Sequence, residues 1–199
     1  MKQATVDSWI ASLNNGDIGL LRSNNFFATL QNWRRKKYKE GELFASHGFY
    51  IYHPPSIMES NGLFVSQGKL FKNIGGKTEV WIFRYGKITK DQVEDMNIYW
   101  EAMREGGAHY SIMGIAQFAT QFLGVRKKIT DASGVFCTEG TGKAIVKAEI
   151  PYITLMHANV KDYEVDPSMQ LNWFMSEEAR QLGWYLACYY DGKGGYFVS

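Results

Sequence analysis

The strongest constraint in this sequence is a break between two apolar runs. Phe49-Tyr50-Ile51-Tyr52 is aromatic and β-branched, stops at His53-Pro54-Pro55-Ser56, and resumes as Ile57-Met58-Glu59. Proline has no N–H to give to a strand ladder, so paired prolines end one strand and turn the chain into the next. Asn61-Gly62 marks a second turn before Leu63-Phe64-Val65. The spacing predicts consecutive strands of an antiparallel sheet. With a tight two-residue turn at Pro54-Pro55, Glu59 pairs with Tyr50 and Asn61 lies nearer to His47. A looser turn or a bulge moves these positions.

Helical and strand patterns flank this centre. Ala4–Leu13 reads as a short helix, Asn14-Asn15-Gly16-Asp17 as a turn, and Ile18–Leu21 as a strand. Phe26–Tyr38 reads as a helix with Phe26, Phe27, Leu30 and Trp33 on one side. Glu79–Tyr85 is a further strand. Thr89–Arg104 is a helix, with Thr89 and Gln92 spaced as a capping box. Its apolar surface is Val93, Met96, Ile98, Tyr99, Trp100 and Met103. Tyr110–Phe122 reads as a second helix, and Thr138–Ala148 as a third that ends before Pro151. Asp166-Pro167 is a turn signal. Glu177–Tyr190 fits a helix or a strand, and periodicity does not decide between them. Strands grouped in the middle with helices around them point to an α+β domain spanning residues 1–199.

The 199 residues suit one domain with a core of its own. With 22 Lys and Arg against 20 Asp and Glu, the charge argues against a specific nucleic-acid binder. One basic run, Arg34, Arg35, Lys36 and Lys37, reads as a solvated face, with contact to an anionic surface as an accessory role. No apolar stretch reaches the roughly 18 residues of a membrane span. Met1–Leu13 lacks the basic start and apolar middle of a signal peptide. The expected location is cytoplasmic, or outside the cell by release without a cleaved signal, as in a virion.

Two cysteines are present. Cys137 follows Val135-Phe136 at a predicted helix start, where unpaired N–H groups and the helix field favour a thiolate. The same amides suit an oxyanion formed in acyl transfer. Against this stands the reading of an inert, buried cysteine, which fits Cys188 better because Leu186, Ala187, Tyr189 and Tyr190 flank it. His47 opens an otherwise apolar strand and suits a base for a neighbouring thiol. His53 reads as a turn residue, His109 as a helix-start residue, and His157 has no nameable partner. A third group must fix the base histidine; Glu59 is preferred and Asn61 is its rival. Gly140, Gly142 and Lys143 fall short of a phosphate-binding loop, because Ala144 follows the lysine. Asp91, Glu94 and Asp95 read as a solvated helix face. No cofactor and no metal site is expected.

Taken in order, Gly16-Asp17-Ile18, Ser46-His47-Gly48-Phe49-Tyr50-Ile51, Ile57-Met58-Glu59 and Phe136-Cys137-Thr138-Glu139 resemble a known pattern. It is that of the circularly permuted NlpC-like papain-fold cysteine hydrolases, relatives of the lecithin retinol acyltransferase group. In that branch the histidine segment precedes the cysteine helix, as here. The resemblance implies an antiparallel sheet packed against helices, with Cys137 as nucleophile and oxyanion donor, His47 as base and Glu59 as its orienting residue. Asp17, Tyr110 and Thr138 would lie near the substrate cleft. Thr138 stands where the family has serine, and Ser111 where it has aspartate. The implied substrate is a small peptide amide, a cell-wall peptide, or a lipid-like ester or amide. A catalytically silent papain-like binding module, as in a phage or secretion particle, is the rival expectation.

Overall fold

The computed structural model describes residues 2–23, 29, 32–33, 36, 43–61, 64–70, 78–107, 137–157 and 165–197. In chain order the elements are β1 (Lys2–Ala4), α1 (Val6–Ala11), β2 (Ile18–Arg22), β3 (His47–Ile51), β4 (Ser56–Asn61), β5 (Phe64–Lys69) and β6 (Glu79–Tyr85). Then come α2 (Lys90–Glu105), α3 (Cys137–Lys147), α4 (Ile153–Met156), α5 (Pro167–Phe174), α6 (Glu177–Leu182), β7 (Trp184–Tyr190) and β8 (Gly195–Phe197). These strands form one sheet in the order β1-β8-β7-β6-β2-β3-β4-β5, each neighbour antiparallel to the next. Mixed helix and antiparallel sheet make this an α+β fold.

Alternation along the strands divides the core in two. Ile18, Leu20, Tyr50, Met58, Trp81 and Phe83 face a layer that includes Met96 and Trp100 of α2, Ala144 and Ile145 of α3, and Phe174 of α5. Leu21, Phe49, Ile51, Ile57, Val80 and Ile82 face the other way, onto Trp9 and Ile10 of α1. The sheet therefore has a many-helix face and an α1 face. Both are dry, with Phe49, Tyr50, Ile51, Ile57 and Met58 fully buried. Burial of each such side chain is worth about 1.5–3 kcal/mol.

Several local signals act through identifiable contacts. Thr89 and Gln92 cap α2 reciprocally, side chain to backbone in both directions. Asp166 caps α5 by accepting from the Met169 N–H at 2.7 Å, and Pro167 occupies the first turn. Asp166-Pro167 is therefore a helix start and not a simple turn, because a proline at the first helical position removes an N–H that has no partner there anyway. The stretch from Glu177 to Tyr190 holds both alternatives. It is helical to Leu182, stops at Gly183 with φ of 111°, and continues as β7. At the N-terminus Ala4 belongs to β1, paired with Gly195, and the helix starts only after the Thr5 cap. Ile98, expected on the apolar side of α2, is 49% exposed. The face toward the sheet carries Met96, Asn97 and Trp100, and buried Asn97 accepts from the Tyr50 hydroxyl at 2.8 Å. The helix expected over Tyr110–Phe122 lies outside the described residues. So does most of Phe26–Tyr38, of which Thr29, Asn32, Trp33 and Lys36 are helical.

The β3–β4 connection departs from the tight-turn register. Tyr50 pairs with Met58 and Ile51 with Ile57, so five residues, 52–56, join the paired segments. One extra residue in a connection flips every later side chain to the other face. Glu59 paired with Tyr50 would point to the many-helix face. With Met58 in that place, Glu59 shares the α1 face with Ile57, Phe49 and His47.

Candidate active site

His47 opens β3, paired with Leu21 of β2. Leu21 belongs to the α1-side core, which sets the face His47 takes. Glu59 lies on β4, opposite Ser66 of β5. The two meet as diagonal neighbours on adjacent strands, within reach of long side chains. His47 Nε2 lies 2.8 Å from Glu59 Oε2. The pair is shielded, with side-chain exposures of 19% for His47 and 7% for Glu59. A carboxylate in this position accepts the Nε2–H, fixes the ring's orientation and assigns the exchangeable nitrogen lone pair to Nδ1.

Helix α3 packs on β3 and β4 and begins at Cys137. Its first turn comes close to the residue after His47. A Cβ on Gly48 would stand 3.0 Å from Thr138 Cγ2, 3.3 Å from Leu20 Cδ2 and 3.4 Å from Gln170 Oε1. Any larger residue at 48 would make these neighbours give way. Thr138 is buried, and its hydroxyl donates to the Val165 carbonyl at 2.8 Å, tying the start of α3 to the segment before α5. That bond makes Thr138 an anchor of the helix. Deeper in α3, a Cβ on Gly142 would come within 2.9 Å of the Tyr152 ring. Gly142 of EGTGK thus serves helix packing.

Alternation adds one more fact. His47 and Gly48 are successive strand residues and point to opposite faces. The His47–Glu59 pair lies on the α1 face, while Thr138 meets Gly48 on the many-helix face. A group on α3 would have to reach the imidazole around the opening residue of β3, because the strand itself separates the two faces.

The Cys137 side chain lies outside the described residues, although its backbone opens α3. The side chain of Asn61, at the end of β4, and all of Tyr110 lie outside them too, as do Arg34, Arg35 and Lys37 of the basic run. Lys36 is exposed.

Asp17 is 1% exposed. Arg84 Nε donates to its Oδ1 at 2.7 Å, Arg84 Nη2 to its Oδ2 at 2.8 Å, and the Asn14 N–H to Oδ2 at 2.8 Å. Burial pushes the Asp17 carboxyl above its ordinary value, and Arg84 and the Asn14 N–H pull it back. The hydrogen bond to Asp17 holds the Arg84 guanidinium charged more firmly than usual. This pair locks the turn before β2 to β6. The sequence clue to it is Arg84, a charge within the apolar run that follows Glu79 in EVWIFRY.

Cys188 is buried on β7, and burial pushes its thiol up to about 12. His157 does have a partner: its Nε2 lies 3.0 Å from Glu178 Oε2 at the surface. Gly48 is the site residue that sequence reasoning missed. Its signal is a glycine directly after the histidine in a run otherwise suited to a strand. Among the described residues no three His, Cys, Asp or Glu side chains are grouped to hold a metal, and no helix is long and apolar enough to cross a membrane. Comparison with protein-family models and with curated proteins finds no match for this chain.

Proposed function

We propose that this chain is a cysteine-dependent hydrolase of the permuted papain-like kind, cleaving an amide bond of a peptide or cell-wall peptide. One juxtaposition carries the reading. A histidine held by a shielded carboxylate at 2.8 Å opens the strand whose next residue receives the first turn of the Cys137 helix. Histidine strand before cysteine helix, on an antiparallel sheet, is also the order of the permuted branch.

The chemistry follows from those groups. His47 Nδ1 takes the proton from the Cys137 thiol, and the imidazolium is stabilised by Glu59. The thiolate attacks the amide carbon. The negative oxygen forms against the Cys137 backbone N–H at the start of α3, where the helix leaves its first donors unpaired. His47 then gives its proton to the leaving nitrogen as the C–N bond breaks. A water, deprotonated by the same ring, adds to the thioester and releases the acid and the thiol. An ester would pass through the same steps with an alcohol leaving. A parallel screen of peptide amides and lipid esters separates the two substrate classes.

The decisive experiment is thiol chemistry at Cys137. A mild alkylating reagent near pH 7 should modify Cys137 stoichiometrically, with the rate falling on acidification, while Cys188, its thiol pushed up to about 12, stays unmodified until the chain unfolds. Cys137→Ala should abolish turnover and keep the fold. Geometry is tested directly by His47→Cys. A disulfide with Cys137 forms on gentle oxidation only if the two Cα atoms come within about 7 Å.

A silent binding module is the second reading, and one observation favours it. The His47–Glu59 pair and the Thr138–Gly48 contact occupy opposite faces of β3. If the sulfur does not round the strand end, His47–Glu59 is a structural pair. Slow Cys137 labelling at the ordinary thiol pKa, with no disulfide in His47→Cys, establishes that reading and removes the first.

A further inference from the structure

We infer that Gly68 is a positioning residue for the His47 base, acting through Glu59. The inference rests on the reading of His47 as a base given above. Gly68 lies in β5, paired with Ile57 of β4, on the same face as Glu59. A Cβ built on it would stand 3.2 Å from Glu59 Oε1, and 3.6 and 3.9 Å from the Ile57 side chain. The other carboxylate oxygen, Oε2, is the one held at 2.8 Å by His47. One oxygen therefore serves the imidazole while the other rests in the space left by the missing side chain of Gly68.

Glu59 is buried, so its carboxylate has little room to yield. A methyl group at 68 would press on Oε1 and tilt Oε2 off the Nε2–H axis. Hydrogen bonds weaken steeply with such misalignment. The effect reaches His47 through Glu59, because Glu59 Oε1 is the nearest atom to that position and the Ile57 side chain the next.

The glycine is costly on other grounds. Inside a strand it sacrifices chain entropy and leaves nothing to pack. Gly68 has no left-handed φ that would demand it. A purely structural account predicts that alanine is accepted there and raises the melting temperature. Positioning predicts that pressure on Glu59 offsets that gain and weakens the base.

The experiment follows the imidazole itself by NMR titration of the His47 ring in the full chain, alongside the pH dependence of Cys137 alkylation. Removing a carboxylate partner lowers the pH at which a histidine gives up its proton. Glu59→Gln should shift the His47 titration down by about one unit, and Gly68→Ala by about half of that, with a threefold slower alkylation near pH 7, roughly the same half unit. In the double variant Gly68→Ala should add nothing beyond Glu59→Gln, because both act on one contact. A His47 titration identical in wild type and Gly68→Ala overturns the inference, and so does full additivity in the double variant. If Cys137 fails to label in every variant, the hydrolase reading falls, while the ring titration still decides whether Gly68 sets the His47–Glu59 pair.

Discussion

The described residues include two histidine–glutamate pairs of nearly the same length that differ in their surroundings. His47 and Glu59 meet at 2.8 Å with side-chain exposures of 19% and 7%. His157 and Glu178 meet at 3.0 Å with exposures of 48% and 39%. Water solvates either partner of the second pair when the other leaves. It reaches Glu59 far less. Distance alone therefore says little about what a pair does: the shielded one is committed to its geometry, and the exposed one is a surface contact. Only the first has the properties expected of a base and its orienting group.

The largest effect should come from removing the shielded imidazole. His47→Leu leaves the Glu59 carboxylate without this partner in a buried site, and we expect a loss of about 3–5 kcal/mol in urea unfolding near neutral pH. The pH dependence has a definite sign. A carboxyl stranded by burial has a folded-state pKa above its unfolded one, so the destabilisation is present above that pKa and is relieved as the pH falls through it. His157→Leu should show neither the loss nor the pH relief. Equal losses in the two variants would erase the distinction between the pairs.

Next in size is the approach of the cysteine helix. Gly48→Val places atoms where Thr138, Leu20 and Gln170 already stand, and overpacking of this kind costs about 1–3 kcal/mol. If α3 shifts to relieve the clash, Cys137 labelling should slow while the His47 ring titrates as in wild type. A change in that titration with unchanged labelling would mean that Gly48 supports β3 and not the helix.

Smaller again is Glu59→Gln, which keeps a hydrogen-bonding side chain and removes the buried charge. We expect a stability change of about 1 kcal/mol beside a clear downward shift of the His47 titration. That is the opposite balance to His47→Leu, in which stability suffers most. Together the two variants separate what the pair gives to the fold from what it gives to the ring.

How far the sequence foretold this arrangement depends on the range of the contacts involved. Capping of α2 by Thr89 and Gln92 was legible because it is local, as was the strand pair flanking Pro54-Pro55. The meeting of His47 with Glu59 was legible as a preference but not as a register. The tight-turn spacing puts Glu59 opposite Tyr50, on the wrong face, and a pairing shifted by one residue, with Met58 opposite Tyr50, corrects it. Loop conformation, which composition specifies poorly, thus decides which side chains share a face. Thr138 against Gly48 and Asp17 against Arg84 join residues far apart in the chain, and no periodicity reports such pairs. Asp166-Pro167 carried its signal plainly but with two meanings, since aspartate before proline serves a turn and a helix cap alike. At Ile98 periodicity itself misled: α2 buries Asn97 beside Trp100, because Tyr50 brings a hydroxyl that needs an acceptor.

The exposed pair supplies the smallest prediction and the control for the others. Glu178 accepts from the Trp173 indole at 3.1 Å as well as facing His157. The hydrogen bond with His157 holds the Glu178 carboxyl below its ordinary value, with the indole assisting. A lowered folded-state pKa means that the contribution is present above the unfolded value and is lost as the pH falls through the folded one. At this exposure solvent screens most of it, so Glu178→Gln should change stability by less than about 0.5 kcal/mol at neutral pH. The difference from wild type should shrink further in acid and in high salt. A loss matching that of Glu59→Gln would show that the indole bond, and not solvent exposure, governs what such a pair contributes. In that case the buried position of Glu59 would no longer distinguish a catalytic carboxylate from a structural one.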